Sequence, residues 1–442
     1  MRALFTAALA AACAAAPAAA PPALPRAAAP SADTLLVQAH VAAHANETFR
    51  APSGFLKHPY VVPAGPYNEL WDWDSMFLSV ALLEYGSAPY FVGSFLNFLD
   101  ATNLTSGDLP GCLTPAGPSK TLYHAKPLII QGALLAGRAA GDVAQFASRA
   151  PAMRALLAYW QSPARRDALT GLPRWHDQLE SGADNNVFSE CASAFSPCWV
   201  PSNALSLAAV DGAVWLAREL AAYAAFVAAW RGLGARGGGA PDFLFAADAA
   251  GEAAGARAAA AALRDALNAQ LLACDGARGC WYGALNATTR APVRARTWAA
   301  ALPVWAGLAP NASAEAAVVA SAARADLSSR FGLRSTSRED PRYNNVNMIN
   351  PYSNWQGPVW INGGYLFALA ARRAGNTAVA AAQADALVAT LANDLRATGT
   401  WHESYDAESG AGLAAPEFLS WNTLGGRVQA DVAAGIDPFS ID

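Results

Sequence analysis

Residues 358–397 read PVWINGGYLFALAARRAGNTAVAAAQADALVATLANDLRA. Apolar residues recur here with the helical period in two stretches, 358–374 and 377–397, separated by a break at Gly375 and Asn376. Pro358 fits the first turn of the leading stretch, where its missing N–H costs nothing. Alanine and leucine dominate, and the β-branched residues rarely alternate. The segment predicts a helical hairpin. Outward from it the pattern returns near 33–48, 74–86, 89–102, 126–140, 142–161, 203–234, 250–273, 296–308, 313–329 and 416–434. About twelve helices joined as hairpins predict an all-α fold, a closed double ring of six inner and six outer helices built as a single domain. An open superhelix of helical repeats would carry a fixed sequence period, and none is found.

Composition bounds the function. The chain has 442 residues, 54% hydrophobic and 14% charged, which is ample for a large core. Net charge is −4 with no cluster of Lys and Arg, so a nucleic-acid surface is set aside. Arg2, the apolar run Ala3 to Ala16, and the small residues and prolines up to Pro30 follow signal-peptide grammar. Residues 1–30 are therefore expected to be a signal peptide and leader, with 31–442 as the folded domain. A transit peptide, the competing reading, is usually richer in Arg and Ser. The expected compartment is the secretory pathway: extracellular space, ER lumen or vacuole.

The cysteines agree with an oxidising route. Cys191 with Cys198 and Cys274 with Cys280 are close pairs suited to small-loop disulfides, while Cys112 is expected to be buried. Glycosylation sequons fall at Asn46, Asn103, Asn286 and Asn311. Past the leader no uninterrupted apolar run reaches the ~18 residues of a spanning helix. The longest candidate, Ala204 to Trp230, is broken by Asp211, Arg218 and Glu219, so no membrane span is expected in the mature chain. A Gly-rich patch, Gly234 to Gly239, reads as a surface loop.

The connections 55–73, 161–201, 331–357 and 398–415 are unusually long and rich in Trp and Asn, and long loops in compact domains usually do something. The first holds Tyr67-Asn68-Glu69-Leu70-Trp71-Asp72-Trp73-Asp74-Ser75, where indoles alternate with carboxylates. Indole rings stack on the C–H face of a sugar, and carboxylates accept from its hydroxyls. A helix N-cap with core tryptophans would explain any one of these residues, but not their density. The second runs from Arg174 to Asn186 and contains Glu180-Ser181-Gly182-Ala183-Asp184, with Gly182 permitting a tight turn that projects Asp184. Its acidic and His spacing matches neither a calcium loop nor a zinc pair, so no metal is expected. The third is Asn344-Asn345 followed by Asn350 to Trp360, whose amides and indoles suit neutral hydroxyls better than simple loop packing does. The fourth is Trp401-His402-Glu403-Ser404-Tyr405-Asp406, followed by Phe418-Leu419-Ser420-Trp421. A lone Glu403 would mean nothing. Its aromatic neighbours make it a candidate.

These loops supply what glycoside hydrolysis requires: one carboxylic acid to protonate the departing oxygen and one carboxylate to activate water or attack. There is no G-x-S-x-G elbow, no phosphate-binding Gly loop and no aspartate-rich magnesium motif, and no cofactor is expected. A sugar-binding protein on a retired hydrolase scaffold would keep the tryptophans and tolerate loss of either acid. Both are present.

Taken together, Glu69-Leu70-Trp71-Asp72-Trp73-Asp74-Ser75, Leu179 to Asn185, Asn354-Trp355-Gln356-Gly357-Pro358-Val359-Trp360, and Glu403-Ser404-Tyr405-Asp406 with Phe418-Leu419-Ser420-Trp421 resemble glycoside hydrolase family 63. The likeness is to its short branch, the mannosylglycerate and glucosylglycerate hydrolases, and spans residues 67–421. It implies an (α/α)6 barrel (six-hairpin toroid) and inversion at the anomeric carbon, with Asp184 as general acid and Glu403 as general base. It also implies a small α-glucoside or α-mannoside as substrate, with Tyr67, Trp71, Trp73, Asp74, Gln131, Trp355, Gln356, Trp360, Tyr405 and Trp421 around the sugar. Ala407 stands where the family usually has proline, and Asn186-Val187 replace Ser-Pro. Related enzymes that trim glucose from N-glycans, and trehalases, are the alternatives within glycosidase chemistry.

Overall fold

In a computed structural model the residues described are 29–176, 179–188, 207–234, 249–347 and 353–441. Helices dominate: α1 (Ala32–His44), α2 (Asp72–Ala81), α3 (Ala88–Ala101), α4 (Ile129–Ala139), α5 (Ala150–Gln161), α6 (Val210–Gly234), α7 (Ala249–Gln270), α8 (Leu302–Trp305), α9 (Ala312–Ala322), α10 (Ile361–Arg373), α11 (Thr377–Thr398) and α12 (Val428–Ala434). Each matches one expected helix. Several are shorter than expected because proline or glycine intervenes. Pro151 starts α5 after a 3₁₀ stretch at Ala144–Arg149, Pro303 follows another at Trp298–Ala301, and Gly425-Gly426 separate Ser420–Gly426 from α12.

Burial alternates along the chain. Every residue of α2 and α8, residues 129–137 of α4, 210–220 of α6 and 361–371 of α10 are buried. In contrast α1, α7, α9 and α11 bury one face only, as an apolar stripe of helical period should. Helices with long buried stretches thus pack against amphipathic ones, with α6 against α7, α10 against α11 and α4 against α3. Ala32–Asp442 forms one compact unit. Helix α6 includes a window, Val210–Gly232, long and apolar enough to cross a membrane by length and composition, which corrects the expectation from uninterrupted runs. That window is 78% buried in the protein, where Trp215, Phe226 and Trp230 fill the core.

The all-α expectation needs correction in the connections. Leu70–Trp71, Pro110–Thr114 and Gly117–His124 form a three-stranded antiparallel sheet, and Leu207–Ala209, Ala284–Asn286 and Pro292–Val293 form another. His402–Tyr405 pairs with Gly412–Pro416. In the hairpin Leu272–Asp275 with Gly279–Tyr282, Cys274 lies opposite Cys280 and the two are disulfide-bonded. Cys191 and Cys198, most of the Gly234–Gly239 patch and residues 348–352 of the third cluster lie outside the described residues. Cys112 is buried. Of the sequon asparagines, Asn46, Asn103 and Asn311 are exposed and Asn286 is buried in a strand.

Candidate active site

The four clusters converge where the connections enter the inner helices. Leu70–Trp71 pairs with Cys112–Leu113, and the chain then turns into α2 with Asp72 and Asp74 in its first turn, where a helix dipole favours acids. Asp72 accepts from its neighbour's backbone N–H, from the Lys126 N–H at 2.8 Å and from Lys126 Nζ at 2.9 Å, all buried. Asp74 accepts from the Ser420 hydroxyl at 2.6 Å. Burial pushes its carboxyl up to about 7, against the pull of that hydrogen bond.

The Asp184 loop is anchored by its own Glu180. That carboxylate is buried and accepts two hydrogen bonds from Arg165, at 2.6 and 3.1 Å, and one each from the backbone N–H groups of His124 and His176. Burial resists its ionisation, but these donors outweigh burial and hold it below the usual range. Gly182 then turns the chain at φ +77, where an added Cβ would lie 2.7 Å from Lys126 Cε and from the Trp73 ring. Asp184 follows, half-buried, accepting from the Ser353 hydroxyl at 2.7 Å. Asn185 clamps the next segment: its side-chain oxygen accepts from the Trp355 N–H at 2.6 Å, and its carbonyl accepts from Gln356 Nε2 at 2.8 Å.

Glu403 sits at an irregularity between His402 and Ser404 in its strand pair, and such bulges re-aim side chains. Its carboxylate accepts from the Tyr67 hydroxyl at 3.0 Å, and the nearby Ala415 backbone N–H favours its ionised form. Burial pushes its pKa up to about 8, and the charges of Asp184 and Asp74 add to that shift while the Tyr67 hydrogen bond opposes it. Glu403, Asp184, Asp74 and the Tyr67 hydroxyl therefore lie within electrostatic reach of one another. Together they form one cluster.

Beneath it, Trp355 stacks on Trp360 with centroids 3.9 Å apart, and Trp73 and Trp421 close the group at 5.6–5.7 Å. All four indoles are buried, so they form a rigid floor, while Tyr67 and Trp71 are only half-buried. Several expected sugar contacts are corrected here. Gln131 is wholly buried, donates to the carbonyls of Pro127 and Trp215 and accepts from Arg218, so both of its donor hydrogens are engaged within the core. Tyr405 is buried and exchanges two backbone hydrogen bonds with Val359. Gln356 spends its amide on Asn185 and Asn344. Trp355 and Trp360 have no open face. The residues missed as contributors are Arg165 and Lys126; Arg165 stands in a stretch with no motif and gave no signal.

A family profile described as "Mannosylglycerate hydrolase MGH1-like glycoside hydrolase domain" matches residues 67–421. The chain belongs to this family. It is a glycosidase of the family 63 type, in the mannosylglycerate hydrolase-like branch. Among solved structures, the family 63 mannosylglycerate hydrolase of Thermus thermophilus in complex with glucose superposes with TM-score 0.64 at 20% identity, covering 88% of this chain and 98% of that one. The same enzyme is also solved with Tris and D-glycerate. Neutral trehalase from Saccharomyces cerevisiae superposes with TM-score 0.61 at 17% identity, covering 87% of this chain and 77% of that one. In sequence, cytosolic neutral trehalase from Saccharomyces cerevisiae is 30% identical over 127 residues, 27% of this chain, and that match spans only 16% of the trehalase. Among the described residues of this family 63 glycosidase, no group of three or more His, Cys, Asp or Glu is placed to share a metal ion.

Proposed function

We propose that residues 31–442 form a single (α/α)6 catalytic domain that hydrolyses a small α-linked glucoside or mannoside with inversion. In this reading Asp184 protonates the departing glycosidic oxygen, and Glu403 removes a proton from the water attacking the opposite face of the anomeric carbon. The observation that carries the reading is the meeting of Asp184 and Glu403 over an indole floor, with Tyr67 donating to Glu403. An inverting pair must hold one proton between two carboxyls. A Glu403 pKa near 8 means that the cluster still retains a proton at neutral pH. The sugar's glycosidic oxygen then draws that proton to Asp184, while Tyr67 and the Ala415 N–H favour the ionised form of Glu403.

Small glycosides of glycerate and α,α-trehalose are the substrates to test, the second favoured by the trehalase match. Asp184→Asn and Glu403→Gln should each lower kcat by roughly 10²–10⁴-fold, the usual worth of a general acid or base. Binding of glucose or mannose, followed by calorimetry, should persist in both variants. Turnover close to that of the unmodified enzyme in either variant would remove that residue from its role.

A further inference from the structure

Backbone strain collects around Glu403. Among the described residues four non-glycine residues take positive φ: Ala64 at 70°, Arg290 at 62°, Ala414 at 61° and Glu417 at 59°. Three of these stand in the two segments that supply groups to Glu403, 64–67 with Tyr67 and 414–417 with Ala415. Left-handed backbone is disfavoured for alanine by about five- to thirtyfold in population, so it persists only where neighbours impose it.

At Ala414 the neighbours are visible. His402 lies opposite Pro416 and Ser404 opposite Leu413, so the single residue Glu403 faces two, Ala414 and Ala415. In one common form of such a bulge the first of the two is left-handed and is glycine. Here it is alanine, and its N–H donates to the Asn347 side-chain oxygen at 2.8 Å. The loop that carries Asn347 grips the same hairpin a second time, where Asn345 Oδ1 accepts from the Ala407 N–H at 3.0 Å. From the other side Gly65, at φ +61, packs so closely that an added Cβ would lie 2.7 Å from the Pro416 carbonyl oxygen and 2.9 Å from that of Glu417.

Resting on the acid and base roles proposed above, we infer that Asn347 is a positioning residue for Glu403: by capturing the Ala414 N–H it holds the bulge left-handed and keeps the next N–H, that of Ala415, turned towards the Glu403 carboxylate. Asn347 touches neither carboxylate and acts through the backbone alone. Without it alanine relaxes to ordinary extended backbone, and the Ala415 N–H turns away. Glycine at position 414 would need no such capture, since positive φ costs it nothing.

The test follows Glu403 directly. Carbon-13 NMR of the full chain, labelled at the glutamate side-chain carboxyls, reads its titration, with the signal recognised by its absence from Glu403→Gln. Tyr67, Asp184 and Asp74, the titratable groups acting on Glu403, are left unchanged in every variant compared. Asn347→Ala should raise the Glu403 midpoint by about one to two pH units, the worth of one hydrogen bond to a carboxylate, and lower kcat/KM about tenfold or more near neutral pH. Adding Ala414→Gly to Asn347→Ala should return both towards the unmodified values. An unmoved Glu403 titration in Asn347→Ala overturns the inference, and so does a shift that Ala414→Gly fails to repair. If Glu403→Gln retains turnover, the base assignment fails instead, and the NMR titration still decides whether Asn347 governs this carboxylate.

Discussion

Replacing Tyr67 by Phe removes one oxygen and leaves the ring that packs edge-on against Trp71 and Phe418. What is lost is the 3.0 Å hydrogen bond to Glu403. Hydrogen bonds to charged groups contribute about 1.5–3 kcal/mol, and one pKa unit corresponds to about 1.4 kcal/mol. The bond favours the ionised carboxylate, so its loss raises the Glu403 pKa from about 8 by roughly one to two units. When one proton is shared by Glu403 and Asp184, the productive arrangement leaves Glu403 ionised. Tyr67→Phe shifts that balance about 10- to 100-fold the wrong way. Steady-state kinetics across pH should therefore show kcat/KM reduced by that factor on the plateau, with the limb that reports Glu403 ionisation moved to higher pH. In a Glu403→Gln background the same substitution should cost little more. A Tyr67→Phe enzyme with an unchanged pH profile would refute this coupling, as would an equal loss when Tyr67→Phe is added to Glu403→Gln.

Other consequences follow from the supports of the cluster. Gly182→Ala places a methyl against Lys126 and Trp73 at positive φ, so activity should fall at least about tenfold through displacement of Asp184, while circular dichroism shows the helices intact. Arg165→Met strands the buried Glu180 carboxylate and should cost about 3–5 kcal/mol in urea unfolding, with activity lost alongside it. Glu403 titrates near 4.5 when unfolded and near 8 when folded, so the folded chain keeps a proton the unfolded chain has released, and stability from this residue declines as pH rises through that window. Glu403→Gln should therefore melt progressively higher than the unmodified protein from about pH 5 to about pH 8; a difference that shrinks with pH would contradict the burial assigned to Glu403.

The helices were legible because alanine- and leucine-rich stripes of period 3.6 need no partner to be recognised. The strands were not. Runs as short as Leu70–Trp71 or His402–Tyr405 show too little alternation, and the pairing of Leu70–Trp71 depends on a segment many residues away. Asp184 and Glu403 stood out because Gly182 and the aromatic neighbours mark their loops along the sequence. Gln131 was expected at the sugar from the family resemblance alone, but its partners Trp215 and Arg218 arrive from a different helix and engage its amide. Trp355 and Trp360 were expected around the sugar, and both are buried in the indole group, since sequence density cannot tell a floor from a wall. Arg165 and Lys126 act through ion pairs to acids 15 and 54 positions away, a separation that no local motif records.

The central claim is hydrolysis by Asp184 and Glu403 acting from opposite faces of the sugar. Proton NMR of a turning-over α-glucoside, with the first spectra taken before mutarotation, reads the configuration of the released sugar directly. The account predicts β-glucose as the first product. Release of α-glucose would contradict it, since that outcome needs a carboxylate that attacks carbon rather than one that activates water.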